Sequence, residues 1–226
     1  MKATQVKLLL ALLAGVVTAQ AQMVWSLAAD FSSDTNPTGA WSYGAAATPG
    51  DTFVIFTVTG SGGPTNNWSN GNFPYVIFNT DAAPYAVGTV VFPGLTAILH
   101  PASDGTNAVV RWTAPAAGSY AVIAAFASAD IFGATTDAHV LLNGVDLGNG
   151  SVTLNTGFAY SNLSLTLAQG ATLDFSVGTG GNGYFNDSTA LTVMITPASI
   201  PEPATTLSLA LGLALLAGRR RIWRAR

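Results

Sequence analysis

Two stretches of this 226-residue chain set aromatic rings among amides and glycines. Trp68 lies in Gly60–Gly71 (GSGGPTNNWSNG) beside Asn66, Asn67 and Asn70. Tyr184 and Phe185 lie in Gly178–Asp187 (GTGGNGYFND) beside Asn182, Asn186 and Asp187. An aromatic face covers the apolar C–H patch of a pyranose, amides and carboxylates satisfy several hydroxyls at once, and glycines let the backbone approach a ligand closely. Trp68, Asn67, Tyr184, Asn186 and Asp187 therefore form the candidate ligand-binding set. Both stretches should be surface loops. Core packing competes with this reading, because large aromatics are mostly buried. It is favoured for Trp41 and Trp112, whereas Trp68 has only polar neighbours in sequence.

Catalytic chemistry has thinner support. There is no G-x-S-x-G, and the only histidines are His100 and His139. His139 stands two residues from Asp137, so in a strand the two share a face; a hydrogen-bonded pair at the sheet surface is the expectation. Glycoside hydrolysis needs one carboxyl of raised pKa and a partner at fixed separation. Asp104, Asp146 and Asp187 sit at turn-forming positions, where a carboxylate bonds its own backbone. Gly178–Gly183 lacks the lysine and helix of a phosphate loop, and no zinc motif is present. Cysteine is absent, which excludes disulfides, thiolate metal sites and cysteine nucleophiles.

The elements that must position these residues read as β-strands. Candidate strands are Asp51–Val58, Phe73–Phe78, Asn107–Thr113, Ser119–Phe126, Phe158–Leu167, Ala171–Val177 and Thr189–Thr196. In Phe158–Leu167, Leu163, Leu165 and Leu167 alternate with Ser164 and Thr166, placing the three leucines on one face. Turn signals at Asp104-Gly105, Asn143-Gly144 and Gly148-Asn149-Gly150 separate the runs. The fold class is all-β, an antiparallel β-sandwich of jelly-roll type. It is flanked by an N-terminal signal helix and a C-terminal hydrophobic helix.

Charge is distributed unevenly. The formal net charge is −3, yet between Gln22 and Ser199 Arg111 is the only Lys or Arg against ten aspartates and no glutamate, leaving −9. Such a domain repels nucleic acid and anionic lipid. Arg111 is expected in an ion pair with an aspartate. With no disulfide, the core alone must carry stability.

Both termini are specialised. Lys2 and Lys7 precede an apolar stretch, Leu8–Val17, and Ala19-Gln20-Ala21 offers a small-residue cleavage site, so residues 1–21 read as a signal peptide. Residues 22–199 form the ectodomain and 200–226 a sorting segment. There, Pro201-Glu202-Pro203 leads into the uncharged run Ala204–Gly218 and then Arg219, Arg220 and Arg221. As a helix the fifteen-residue run spans about 22 Å, short of a hydrocarbon core of about 30 Å. The arginines resist translocation and anchor the cytoplasmic end.

This order resembles the PEP-CTERM sorting signal. The resemblance implies export through the inner membrane, transient anchoring there, and cutting near Pro201–Pro203 by an exosortase-type membrane protease. Delivery to the cell surface or extracellular matrix follows, often beside exopolysaccharide.

The ectodomain has its own likeness. Asn36-Pro37-Thr38-Gly39-Ala40-Trp41-Ser42-Tyr43-Gly44, and the Trp-x-x-Pro-x-x-Gly-x-Tyr spacing from Trp112 to Tyr120, are similar to units of galactose-binding-like and carbohydrate-binding jelly rolls. That resemblance implies a structural calcium near a sheet end, for which Asp30, Asp34, Asp174 and Asp187 are candidate ligands. Three functions follow as expectations. The first is a non-catalytic surface or matrix protein that binds polysaccharide; the others are a carbohydrate-active hydrolase using aspartates and a purely structural adhesin or coat protein.

Overall fold

A computed structural model describes residues 23–198. The expected signal peptide, the Pro-Glu-Pro motif, the apolar run and the arginine cluster lie outside the described residues, as do the two helices expected at the termini. Among the described residues no helix is long and apolar enough to cross a membrane.

The only helix described is one turn, α1 (Leu27–Asp30), after β1 (Trp25–Ser26). Then come β2 (Trp41–Ala46), β3 (Val54–Ile55), β4 (Val58–Gly62), β5 (Thr65–Ser69), β6 (Tyr75–Asn79), β7 (Tyr85–Val87) and β8 (Val90–Phe92). The second half holds β9 (Ala97–His100), β10 (Asn107–Thr113), β11 (Gly118–Ser128), β12 (Thr136–Leu142), β13 (Val145–Val152), β14 (Phe158–Leu167), β15 (Thr172–Val177) and β16 (Thr189–Pro197). The larger sheet runs β14-β11-β16-β9-β6-β5-β4, with β1 also on β16. The smaller runs β13-β12-β15-β10-β2-β3. All pairings are antiparallel, and the two sheets face each other as the expected sandwich.

Period-two alternation fills the space between them. Trp41 and Tyr43 from β2, Val110 and Trp112 from β10, and Phe175 from β15 meet Trp68, Val76, Leu99, Phe126 and Ile195 of the facing sheet. The Asn36 motif is a structural clip: its amide donates to the Tyr43 and Phe56 carbonyls at 2.7 and 2.9 Å and accepts from the Tyr43 N–H at 2.9 Å. The Trp112–Tyr120 unit is a strand-turn-strand corner. The two rings meet edge-on at 5.3 Å, and the Tyr120 hydroxyl donates to the Ala116 carbonyl at 2.8 Å. Arg111 fulfils its structural role: Nε and Nη2 donate to the two Asp174 oxygens at 2.6 and 2.7 Å, with Phe53 stacked 4.2 Å from the guanidinium.

Two local expectations are corrected. Gly60–Gly71 is not an open loop: β4 and β5 pair from Val58↔Ser69 to Gly62↔Thr65, making a hairpin at the sheet edge. Leu163 does not share a face with Leu165 and Leu167. The β11–β14 register shifts between Tyr120 and Val122, and the extra residue on β14 turns Leu163 outward to 67% exposure.

The outer face of the larger sheet is partly covered. The β7–β8 hairpin lies over it, and Tyr85, Val90 and Phe92 pack with Ile77, Ile98, Ala129 and Ala190 in a second, smaller cluster. The rest of that face, where β6 and β9 end, carries the site.

Candidate ligand-binding site

Tyr75 of β6 and His100 of β9 are directly paired across the sheet, their rings 5.3 Å apart. Burial pushes the Tyr75 phenol up to about 12 and holds the His100 imidazole below its ordinary value. His100 Nδ1 lies 2.8 Å from the Pro101 carbonyl, which can only accept, so Nδ1 carries the proton. These two rings form a floor. Phe73, just ahead of β6, lies 4.8 Å from each of them. Tyr184 meets Phe73 edge-on at 5.7 Å and His100 at 6.0 Å. Phe185 packs on Tyr184 at 4.5 Å and is 76% exposed. The result is a stepped aromatic ledge of Phe73, Tyr184 and Phe185.

The 178–187 loop is held from beneath, so its aromatics have little freedom to collapse inward. Asp137 Oδ1 accepts from the Gly180 N–H at 2.7 Å and the Asp137 carbonyl from the Gly178 N–H at 2.9 Å. Thr135 gives its N–H to Asp187 Oδ1 at 3.0 Å, and the Asn182 amide donates to Thr135 Oγ1 at 2.8 Å. Gly180 has a φ of +61°, and a Cβ there would collide with the Thr135 carbonyl oxygen, so this approach requires glycine. Asn186, exposed, adopts the left-handed φ of +65° that Asn tolerates best among residues with a side chain.

The five predicted ligand residues separate. Tyr184, half-buried, and Asn186, exposed, lie on the loop. Trp68 is corrected: it is 4% exposed, its indole N–H donates to the Ser32 carbonyl at 2.7 Å, and its ring lies parallel to Tyr43 at 6.4 Å. It points into the core because β5 is a strand and Trp68 falls on its inner phase. Asn67 takes the other phase, against Gly60 of β4 and Ile77 of β6. Asp187 is also corrected as a solvent-facing ligand group, since it is fully buried. Its Oδ1 accepts twice from Thr135 and its Oδ2 has no partner; burial raises its carboxyl above the ordinary range. Phe73, Tyr75 and His100 went unforeseen. Phe73 lies ahead of β6, which starts at Tyr75 and not at Phe73, and Pro74 between them is the signal for the later start.

Two of the four aspartates expected to hold calcium are engaged by protein groups. Asp30 Oδ2 accepts from the Ser26 N–H and the Trp41 indole, Asp174 is bound to Arg111, and Asp34 is exposed. Among the described residues no three His, Cys, Asp or Glu side chains are grouped to hold a metal ion. Of the four, Asp187 alone keeps a buried oxygen without a partner.

His139 has two carboxylate partners where one was expected. Nε2 lies 3.1 Å from Asp137 and Nδ1 2.7 Å from Asp146. Ionised carboxylates only accept, so this pair stabilises the imidazolium form, in which both ring nitrogens donate. The Asp137 hydrogen bond, then that of Asp146, holds its pKa above the ordinary histidine value.

Residues 199–221 match the family model described as the PEP-CTERM protein-sorting motif. The chain carries this motif. No curated protein matches the chain. Among solved structures, the chain is similar to a family 35 carbohydrate-binding module from Clostridium thermocellum at 16% identity, over 53% of this chain and 86% of that one, with a TM-score of 0.31. It is similar to the carbohydrate-binding module CBM36 in complex with calcium and xylotriose at 13% identity, over 68% and 96%, with a TM-score of 0.29. The GH26-CBM35 β-(1,4)-mannanase of Podospora anserina matches at 12% identity over 57% of this chain and 26% of that one, with a TM-score of 0.33.

Proposed function

We propose that this is an exported, non-catalytic surface or matrix protein that binds polysaccharide weakly at the Phe73–Tyr184–Phe185 ledge. One observation carries the reading: three aromatic side chains from two separate segments converge at the surface, and the outermost, Phe185, is 76% exposed on an anchored loop. Aromatic rings gathered at the surface on a fixed support form an apolar patch that a ligand can cover. The neighbouring groups are amides, Asn182 and Asn186, which suit hydroxyls. A shallow site of this kind exchanges water for sugar at small net gain, so affinity is micromolar or weaker.

The geometry also suits a tethered protein. Strand β16 leaves the ledge at Thr189 and reaches Pro197, two residues before the sorting motif, eight residues later. At about 3.3 Å per residue the start of this strand stands about 26 Å from Pro197. The motif implies export and transient anchoring. An exosortase-type protease then cuts near Pro201–Pro203, and the protein passes to the cell surface or matrix, where exopolysaccharide is the partner.

A hydrolase has one observation in its favour, the raised carboxyl of Asp187. That acid is sealed from solvent, however, and cannot reach a glycosidic oxygen. Three surface depressions of about 350, 300 and 270 Å³ are lined by a single carboxylate between them, Asp30. A glycan array on the purified mature protein, beside Phe185→Ala, tests the proposal. Retention of specific glycans by the wild type and their loss from the variant is the expected result. Glycan binding by neither leaves the structural-coat reading.

A further inference from the structure

We infer that the polysaccharide taken at the ledge is uncharged, and that the domain discriminates against glycans bearing uronate or sulfate; this rests on the sugar-binding reading above. Acidic sugars are recognised by cations, above all by a guanidinium in fork geometry. Among the described residues Arg111 is the only Lys or Arg. Its charge is already matched: both Asp174 oxygens accept from it at 2.6 and 2.7 Å, and Phe53 stacks on one face of the guanidinium. The other cation, the His139 imidazolium, lies between Asp137 and Asp146, each ring nitrogen already donating to a carboxylate.

The loops around the ledge reinforce this from the opposite sign. Asp137 holds the Gly180 N–H from below. Asp130, from the loop that follows β11, accepts from the Thr89 hydroxyl and the Phe132 N–H. Asp187 lies beneath the same loop, its Oδ1 accepting from the Thr135 N–H at 3.0 Å and its Oδ2 without a partner. An anionic sugar on Tyr184 and Phe185 would meet carboxylates held beneath the loop and no unpaired cation, and like-charge juxtaposition selects against a partner. A neutral pyranose needs only what the ledge offers, ring faces and amides.

The test uses the mature protein and matched pairs of glycans: xylan, mannan and dextran, each beside its carboxymethylated or sulfated derivative, in low and high salt. The expected result is retention of at least one neutral glycan, with its acidic counterpart about tenfold or more weaker at low salt. The gap should narrow as salt screens the repulsion. Acidic derivatives binding as well as or better than the neutral parents would overturn the inference while leaving sugar binding intact. Binding to neither class would remove the sugar-binding reading and the inference with it.

Discussion

Trp68→Ala tests the assignment of this ring to the core rather than to a surface platform. The indole is 4% exposed, parallel to Tyr43 and bonded to the Ser32 carbonyl. Truncating a buried tryptophan to alanine costs about 3–5 kcal/mol in transfer and cavity terms. The lost hydrogen bond adds at most about 1 kcal/mol, and less here because the half-buried Ser32 can recruit water. About 4 kcal/mol is a large share of the roughly 5–15 kcal/mol that holds a domain folded. At about 2–4 °C per kcal/mol for this size class, the melting temperature should fall by about 8–16 °C. The assay is near-ultraviolet circular dichroism against temperature, with glycan binding measured well below the new transition. Binding per folded molecule should be unchanged. A variant that melts like the wild type but no longer binds glycan would refute the reasoning and return Trp68 to the surface.

Other outcomes follow from the same contacts. Arg111→Ala leaves the Asp174 carboxylate largely buried and unpaired; because the arginine is partly exposed, we expect a loss of about 2–3 kcal/mol, below the 3–5 of a fully buried pair. Arg111→Met with Asp174→Leu should recover most of it in a denaturant titration. The His139 cluster should make stability depend on pH in both directions. Its raised histidine pKa contributes stability that is complete below about 6.5, the unfolded value, and is lost as pH rises through the folded value. Asp137 sits below the ordinary carboxylate range chiefly through its His139 hydrogen bond; burial pushes Asp146 up, but bonds from His139, Asn149 and Gly148 together bring it lower. Their contribution is present above about 4 and is lost as pH falls below it. Melting temperatures from pH 4 to 9 should show the alkaline decline in the wild type and a flatter profile in His139→Gln. Mass spectrometry of the native surface protein should place its C-terminus near residue 200; recovery of a chain ending at Arg226 as the main species would count against processing.

The sandwich was legible because its inner faces obey period two. Asn107–Thr113 and Phe158–Leu167 occupy the residues expected of them, and the Trp112–Tyr120 corner forms where its turn residues place it. Strand β5 was not legible. Thr-Asn-Asn-Trp-Ser is poor in β-branched residues and flanked by glycines, so local propensity reads it as loop, while pairing with β4 and β6 overrides propensity. That override also turned Trp68 inward. Leu163 was misplaced because a bulge is set by the partner strand and leaves no mark in the alternation itself. Half of the ledge was visible as an aromatic pair in a glycine-rich loop. Phe73 was not, because its place beside Tyr184 depends on β6, β9 and β16 being neighbours, a long-range order that no local pattern encodes.

The central claim is that ligand meets the protein at the ledge, and backbone amide chemical-shift mapping of the mature protein during glycan titration tests it most directly. The account predicts shifts concentrated at Asn72, Phe73 and residues 182–186, with Trp68, Arg111 and the His139 cluster unmoved, and with the response lost in Phe185→Ala at unchanged melting temperature. Shifts centred on another face, or undiminished in Phe185→Ala, would contradict it.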